Sequence, residues 1–294
     1  MNPSCMRPES NRPRDEIEYY VRFHPESSVP FRSRSLLLIL IATTAAAWAL
    51  LVPYARSMGA IMDIGIRDPG MVGMEASGVM TAAWSFSGAV MFVMMWTLMM
   101  AAMMLPSAAP IVLIFAAKRA KTAQDIAAPT SIFVVAYLTV WAFTGVLAYL
   151  LVQAGSDVAT ALVPSERTEW APLALGGTLL MAGLYQFTPA KRACLRHCRA
   201  PSSFVLRQWR DGNGGAFQMG LHHGVYCVGC CWALFTVLIA AGVMSLAWML
   251  MLTLFIFVEK VLPQSRISSM IIGFLFVGLG LAVGSGSLPM PLVG

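Results

Sequence analysis

The sequence predicts an all-α protein whose helices form a polytopic bundle that crosses a membrane about seven times. Three observations lead to this prediction: the apolar composition, the long runs without charge, and the uneven distribution of Lys and Arg. Of the 294 residues, 58% are hydrophobic and 12% are charged, and the mean hydropathy is +0.71. A soluble domain is closer to half apolar and a quarter charged.

The apolar residues are concentrated in runs that hydrophilic segments separate. A helix needs roughly 20 apolar residues to cross the hydrocarbon layer, and only helices or closed barrels satisfy their backbone groups there. The runs lack the alternation of barrel strands, so helices are expected. Pro106 and Pro110 lie in the second run, and we expect them to kink or break its helix. The predicted spans are Ser35–Pro53, Trp84–Ala117, Thr130–Ala154, Pro172–Thr188, Phe217–Gly242, Met244–Val258 and Ile267–Val283.

The basic residues predict the orientation of these spans. With the N-terminus in the cytoplasm, all of the 20 Lys and Arg residues except Arg56, Arg67 and Arg167 fall on the cytoplasmic side, as the positive-inside rule requires. The C-terminus then lies outside. Residues 1–34 are interpreted as a disordered basic tail, 35–285 as the helix bundle and 286–294 as a short C-terminal tail. The net charge of +6 therefore reflects orientation in a lipid bilayer, and a nucleic-acid partner is not expected.

A run of His and Cys residues, His222 to Cys231, lies inside the fifth predicted span. On a helix, His223, Cys227 and Cys230 share one face, and Cys231 adjoins it. Thiols and imidazoles are preferred ligands of zinc, copper and iron. The structural alternative is that the Cys residues pack as small hydrophobic side chains and that the His pair hydrogen-bonds a neighbouring helix.

Methionine is dense in the second predicted span. Seven of the fourteen residues from Met91 to Met104 are Met, and Met91, Met95, Met99 and Met103 recur every fourth residue. Thioethers are soft donors that suit Cu(I), although a Met stripe on a helix is also typical of core packing. At 1.5 Å per residue, Met103 and Cys227 are expected at a similar depth in the bundle.

Two polar clusters lie near the predicted cytoplasmic ends of spans. Cys194, His197 and Cys198 have helical spacing and could form a station where metal is loaded or released, or an interfacial loop that meets anionic lipid. Glu259 and Lys260 close the sixth span, where such a pair usually snorkels to water. If Glu259 faced the bundle, it would be a hard ligand or proton acceptor.

Two Gly-x-x-x-Gly patterns predict close helix contacts. One is Gly220 with Gly224, beside the His pair, and the other is Gly280 with Gly284 in the last span. The first would allow a neighbouring helix to approach the His and Cys residues.

Taken together, four segments resemble the motifs of a large group of uncharacterised bacterial proteins described as predicted metal-binding integral membrane proteins. The resemblance implies a multi-pass location in the inner (cytoplasmic) membrane and a bound metal, without a particular activity. Gly224, Cys227, Cys230 and Cys231 fall on the group's positions. The segments are Trp96–Pro110, Thr188–Pro201, Gly220–Trp232 and Glu259–Lys260.

The working hypothesis is a protein that binds Cu(I), in preference to zinc or haem, and transfers it or loads it into a metalloprotein. A metallochaperone or a metalloenzyme is the expected partner, and a non-enzymatic role is favoured. The candidate ligands are Cys227, Cys230, Cys231, His223, His222, Met99, Met103, Cys194, His197 and Cys198, with Glu259 and Gly224 in support.

Three alternatives remain open at the level of the sequence. A thiol–disulfide or electron relay would use Cys227 with Cys230 as the redox pair and Cys194 with Cys198 as the resolving pair. A haem anchor would use His222 or His223. A purely structural assembly subunit would need none of these side chains for chemistry.

Overall fold

The computed structural model describes residues 37–53, 84–122, 127–162, 164–242, 245–261 and 265–287. In this part of the chain the protein is all-helical, as the sequence predicts. The predicted tail 1–34, the outer segment with Arg56 and Arg67, and residues 288–294 lie outside the described residues. The helices are α1 Leu37–Pro53, α2 Phe86–Thr122, α3 Ala127–Ala161, α4 Pro164–Gln186, α5 Pro189–Arg199, α6 Pro201–Arg207, α7 Gly212–Ala241, α8 Leu246–Val261 and α9 Ser265–Gly284.

Four of the described helices are long and apolar enough to cross a membrane: α2, α3, α7 and α9. They coincide with the second, third, fifth and seventh predicted spans. The first predicted span corresponds to the shorter apolar helix α1. The fourth overlaps α4 and the sixth overlaps α8, which has 16 residues. The count of seven spans and the orientation of the chain remain predictions.

Helix α2 runs without interruption through Pro106 and Pro110, so the expected break is not observed. Each proline lacks the N–H that would bond the carbonyl four residues earlier, so the Ala102 and Pro106 carbonyls lose their usual helical donors. Ser107, one residue after the first proline, is buried and donates its hydroxyl to the Met104 carbonyl at 2.9 Å. This stretch of α2 therefore carries polar groups inside the bundle.

Glycines let α3 and α7 approach closely. A Cβ atom at Gly224 would stand 2.8 Å from a methyl carbon of Val140, and one at Gly220 would overlap the carbonyl oxygen of Phe133. The first Gly-x-x-x-Gly pattern thus makes the close helix contact that the sequence predicts. It brings the α7 face that carries His223 and Cys227 against α3.

Glycines also let α4 pack closely against α9. A Cβ atom at Gly176 would lie 2.8 Å from the carbonyl oxygen of Gly280 and 2.9 Å from the backbone nitrogen of Gly284. The second Gly-x-x-x-Gly pattern is therefore also a helix contact. The neighbouring Gly177 faces open space, since a Cβ atom there would meet nothing within 4 Å.

Helix α5 begins at a well-formed cap and packs across α7. The Thr188 hydroxyl accepts a hydrogen bond from the Lys191 backbone N–H, and Pro189 takes the first helical position, where its missing N–H costs nothing. On α7, a Cβ atom at Gly229 would stand 2.8 Å from the sulfur of Cys194. The absence of a side chain at Gly229 thus gives α5 the room to bring its thiols to α7.

The adjacent glycines of α4 allow a matched test of this packing. Gly176→Ala should lower the thermal unfolding temperature of the detergent-purified protein, because its methyl group meets the backbone of α9. Gly177→Ala should leave that temperature unchanged or raise it, since alanine stabilises a helix by roughly 0.5–1 kcal/mol over glycine and meets no obstacle. Equal effects of the two substitutions would contradict the packing of α4 on α9.

Candidate metal centre

Four thiols from two helices meet inside the bundle. Cys227, Cys230 and Cys231 of α7 are buried, and Cys198 of α5 is half-buried against them. The Cys230 sulfur lies 3.9 Å from that of Cys198 and 3.2 Å from that of Cys231. The Cys230 thiol also donates to the backbone carbonyl of Cys227 at 3.1 Å. Cys198 of the predicted loading station therefore joins cysteines of the predicted intramembrane motif in one cluster.

Cys227 is the member of this cluster with the most polar surroundings. The ammonium of Lys260, on α8, lies 3.0 Å from its sulfur, and the hydroxyl of Tyr137, on α3, lies 3.2 Å from it. The same ammonium donates to the Ser107 hydroxyl at 3.1 Å and approaches the Met104 sulfur at 3.9 Å. Five helices thus contribute to the site: α2, α3, α5, α7 and α8.

The Lys260 geometry corrects the interfacial interpretation of this residue. Lys260 and Glu259 are both buried rather than snorkelling to water, because each finds a partner on another helix. A cation beside a thiol stabilises the thiolate, which is the form that binds metal ions. Lys260 therefore places a positive charge where it would favour the thiolate form of Cys227.

Glu259 faces the bundle but does not face the thiols. Both of its carboxylate oxygens accept hydrogen bonds from the Lys191 ammonium, at 2.7 and 2.9 Å, and Lys191 also donates to the Gln186 side-chain oxygen. Lys191 and Glu259 are 1% and 2% exposed, so the pair is closed to water. With its oxygens engaged, Glu259 ties α5 to α8 in this structure and does not offer a free carboxylate.

His223 lies in an aromatic pocket next to the thiols. Its ring stacks on those of Tyr137 and Phe133, with centroids 5.4 and 6.2 Å away, and meets the edge of Phe204 at 5.7 Å. The side chain is 2% exposed, and its Nδ1 atom has no hydrogen-bond partner among the described residues. A buried polar atom without a partner is costly, and a ligand or a proton donor would satisfy it.

Other predicted ligands lie outside the cluster. His222 is exposed, and its Nδ1 atom is 3.3 Å from the side-chain oxygen of Gln208. The His197 ring stacks on Tyr226, with centroids 4.0 Å apart, and its Nδ1 atom bonds the Ala193 carbonyl at 2.9 Å. The structure therefore brings neither imidazole to the sulfurs, whereas it does bring Cys198 there.

The methionine run divides between the core and the outer surface. Met99 and Met103 are fully buried, and Met91, in the same stripe, is 60% exposed. The methionine at the Lys260 ammonium is Met104, which lies one residue beyond the predicted stripe. Met104 and Cys227 thus both contact the Lys260 ammonium, and the expected common depth of Met103 and Cys227 stays a prediction.

The donor set suits a soft metal. Thiolates and thioethers select Cu(I), zinc or iron–sulfur clusters, whereas carboxylate oxygens suit harder ions. The sulfurs contact one another instead of surrounding a central position. Over the described ranges, no group of three or more His, Cys, Asp and Glu side chains is placed to hold a metal ion.

This fold and site define a class of helical protein that combines membrane-length helices with a buried thiol cluster. Residues 93–283 match a family model, PpoB2, which is described as a copper chaperone. The match covers more than half of the chain, so the chain belongs to this copper chaperone family. The expected relation to a metal-linked family is confirmed, and the family description agrees with copper. Comparison with curated proteins and with solved structures gives no match.

Sequence reasoning did not reveal the surroundings of the Cys227 sulfur. That sulfur contacts Tyr137 and Lys260, and the Lys260 ammonium in turn contacts Ser107 and Met104. Tyr137, Ser107 and Lys260 belong to apolar or interfacial stretches, where a single polar residue has no local pattern to reveal its partner. One signal was available for Met104. It follows Met100 at the helical interval of four, so the run contains a second stripe on a neighbouring face.

The ion pair between α5 and α8 predicts a strong asymmetry among substitutions. Lys191→Met should destabilise the protein by about 3–5 kcal/mol, since it leaves a buried carboxylate without its partner. Adding Glu259→Met should recover most of that loss, because the pair is then replaced by apolar side chains. Unfolding in detergent measures both changes. Arg192→Met, at the exposed neighbouring position, is the control, and an equal loss there would contradict the pairing.

Proposed function

We propose that this protein is a membrane-embedded chaperone that binds Cu(I) through thiols of α5 and α7 and transfers it to a partner metalloprotein. Cys227 and Cys230 are the principal ligands, and Cys198 and Cys231 take part in loading or release. The observation that carries the proposal is the meeting of thiols from two helices beside Lys260. Membership of a copper chaperone family supports the choice of metal.

The surface of the long helices supports a location in a bilayer. On α3, Phe143, Leu147 and Leu151 follow one another at helical intervals and are 64%, 48% and 58% exposed. A soluble protein rarely leaves such a continuous apolar stripe in water, whereas lipid tails would cover it. The bacterial inner membrane is the location proposed, with the N-terminus in the cytoplasm.

The different burial of the thiols supports an order in which a Cu(I) ion would meet them. Cys198 is half-buried on the short helix α5, while Cys227, Cys230 and Cys231 are buried on α7. A Cu(I) ion would first meet the outer thiol and then pass to Cys230, whose sulfur is 3.9 Å away. Exchange between neighbouring thiols lets the ion move without losing all of its ligands, which suits a carrier that must also release its cargo.

Two further side chains are placed to assist this transfer. His223 has an unpartnered buried nitrogen on the same face of α7 as Cys227, and Met104 offers a thioether close to Lys260. A neutral imidazole and a thioether add soft donors without adding charge. His222, exposed and paired with Gln208, is not included in the proposed site.

Copper content measures the proposal directly. The full-length protein, purified in mild detergent and given Cu(I) in reducing buffer, should retain copper after removal of unbound metal. The double variant Cys227→Ser with Cys230→Ser should lose binding by at least about tenfold in affinity, because the remaining donors cannot hold the ion alone. Elemental analysis and competition with a Cu(I) chelator give the two values.

The matched controls are His222→Ala and Met94→Leu, which change an exposed imidazole and an exposed thioether. Both should bind copper as the unsubstituted protein does. Retention of copper by the double Cys variant, or absence of copper from the unsubstituted protein, would remove the proposal.

A thiol–disulfide relay is the second candidate, and the short sulfur separations favour it. The Cys198 and Cys230 sulfurs, 3.9 Å apart on different helices, could join as a disulfide after rotation of their side chains. The Lys260 ammonium would favour the thiolate form of Cys227 that begins exchange with a disulfide.

Thiol trapping separates the two candidates. For a copper chaperone, bound Cu(I) should protect Cys227 and Cys230 from alkylation under reducing conditions, and removing the copper should restore labelling. A relay would instead show labelling that depends on oxidant and is indifferent to copper. Labelled peptides identified by mass spectrometry give the result.

A further inference from the structure

The charged side chains buried in the bundle leave one positive charge uncancelled. Among the residues that the structure describes, the buried charged side chains are Lys191, Glu259 and Lys260. Lys191 and Glu259 neutralise each other, since both carboxylate oxygens bond the same ammonium. Lys260 is therefore left to the neutral groups of Ser107 and Met104 and to the thiol cluster.

The contacts of Lys260 fix this charge in position. An ammonium has three N–H donors, and the Lys260 ammonium has three acceptors: the Cys227 sulfur at 3.0 Å, the Ser107 oxygen at 3.1 Å and the Met104 sulfur at 3.9 Å. An isolated charge inside an apolar bundle is costly, and a thiolate at Cys227 offsets it. The site thus contains a resident cation next to a proposed copper ligand.

We infer that Lys260 makes the thiol site selective for a monovalent metal ion over a divalent one. The inference rests on the proposed function and names the property that would make the site specific. Coulomb repulsion scales with the product of the charges, so the ammonium repels a divalent ion twice as strongly as a monovalent ion at the same position. Cu(I) is the soft monovalent ion, and zinc is its divalent competitor for thiolates.

The net charge of the loaded site indicates which ion it would prefer. With two bound thiolates and Lys260, a Cu(I) ion brings the net charge of the site to zero, whereas Zn²⁺ leaves one positive charge in the bundle. The metal takes the place of the proton on the second thiol, and that proton passes to solvent without any change of oxidation state. Soft donors alone would not discriminate in this way, because thiolates are also the common ligands of structural zinc sites.

Substitution of Lys260 tests this role in the full-length protein in mild detergent. Cu(I) in reducing buffer and Zn²⁺ alone are the probes, and competition with chelators gives the two affinities. Lys260→Met should raise the zinc affinity relative to the copper affinity by at least about tenfold, because a long apolar side chain replaces the charge. Lys260→Arg, which keeps the charge, should preserve the selectivity of the unsubstituted protein.

The possible results distinguish a failure of the selectivity assigned to Lys260 from a failure of the proposed copper binding. An unchanged ratio in Lys260→Met, with copper still bound, overturns the selectivity alone. The same rise in Lys260→Arg also overturns it, since packing and not charge would then be responsible. Absence of copper from the unsubstituted protein removes the proposed function and the inference together. If Lys260→Met fails to fold, Lys260→Gln provides a second neutral variant and the same comparison.

Discussion

A charge buried in an apolar helix bundle is costly unless it has a partner, and this constraint determines how the helices at the centre of this protein are arranged. Among the residues that the structure describes, three charged side chains are buried there, and each is met by groups on other helices. Glu259 and Lys260 are neighbours on α8, yet they serve different partners: the carboxylate holds α5 through Lys191, and the ammonium meets α2 and α7. A short helix thereby fixes the relative positions of the helices that supply the thiols.

Close packing by glycine supplies the geometry that this arrangement needs. Gly220 and Gly224 let α7 approach α3, which places Tyr137 beside Cys227, and Gly229 makes room for Cys194 on α5. Helices with little hydrophobic drive to associate in lipid depend on such shape matching and on interhelical polar contacts. The thiol cluster is thus a product of backbone proximity, and membership of a copper chaperone family is consistent with its soft donors.

Much of the fold followed from local patterns, and much of the site did not. The long charge-free runs gave the four membrane-length helices, and i, i+4 spacing placed His223 with Cys227 on one buried face. His222 was also expected to be a ligand, and the structure exposes it instead. The contacts of Lys260 depend on which helices are neighbours, and a single sequence does not encode this in any short pattern. For the same reason, the prediction that Glu259 and Lys260 extend to water at the membrane surface was wrong. Long charged side chains do so when they have no buried partner, and here both have one.

Helix α5 brings the Cys198 sulfur to the cysteines of α7. Its attachment relies on a cap at Thr188, an ion pair at Lys191 and the flat surface at Gly229, all within its 11 residues or directly against them. A rigid-body shift of this one helix would therefore change the coordination number available to a bound ion while leaving the α7 ligands undisturbed. In the proposed function, the affinity for the ion would then depend on α7 and access to the site on α5.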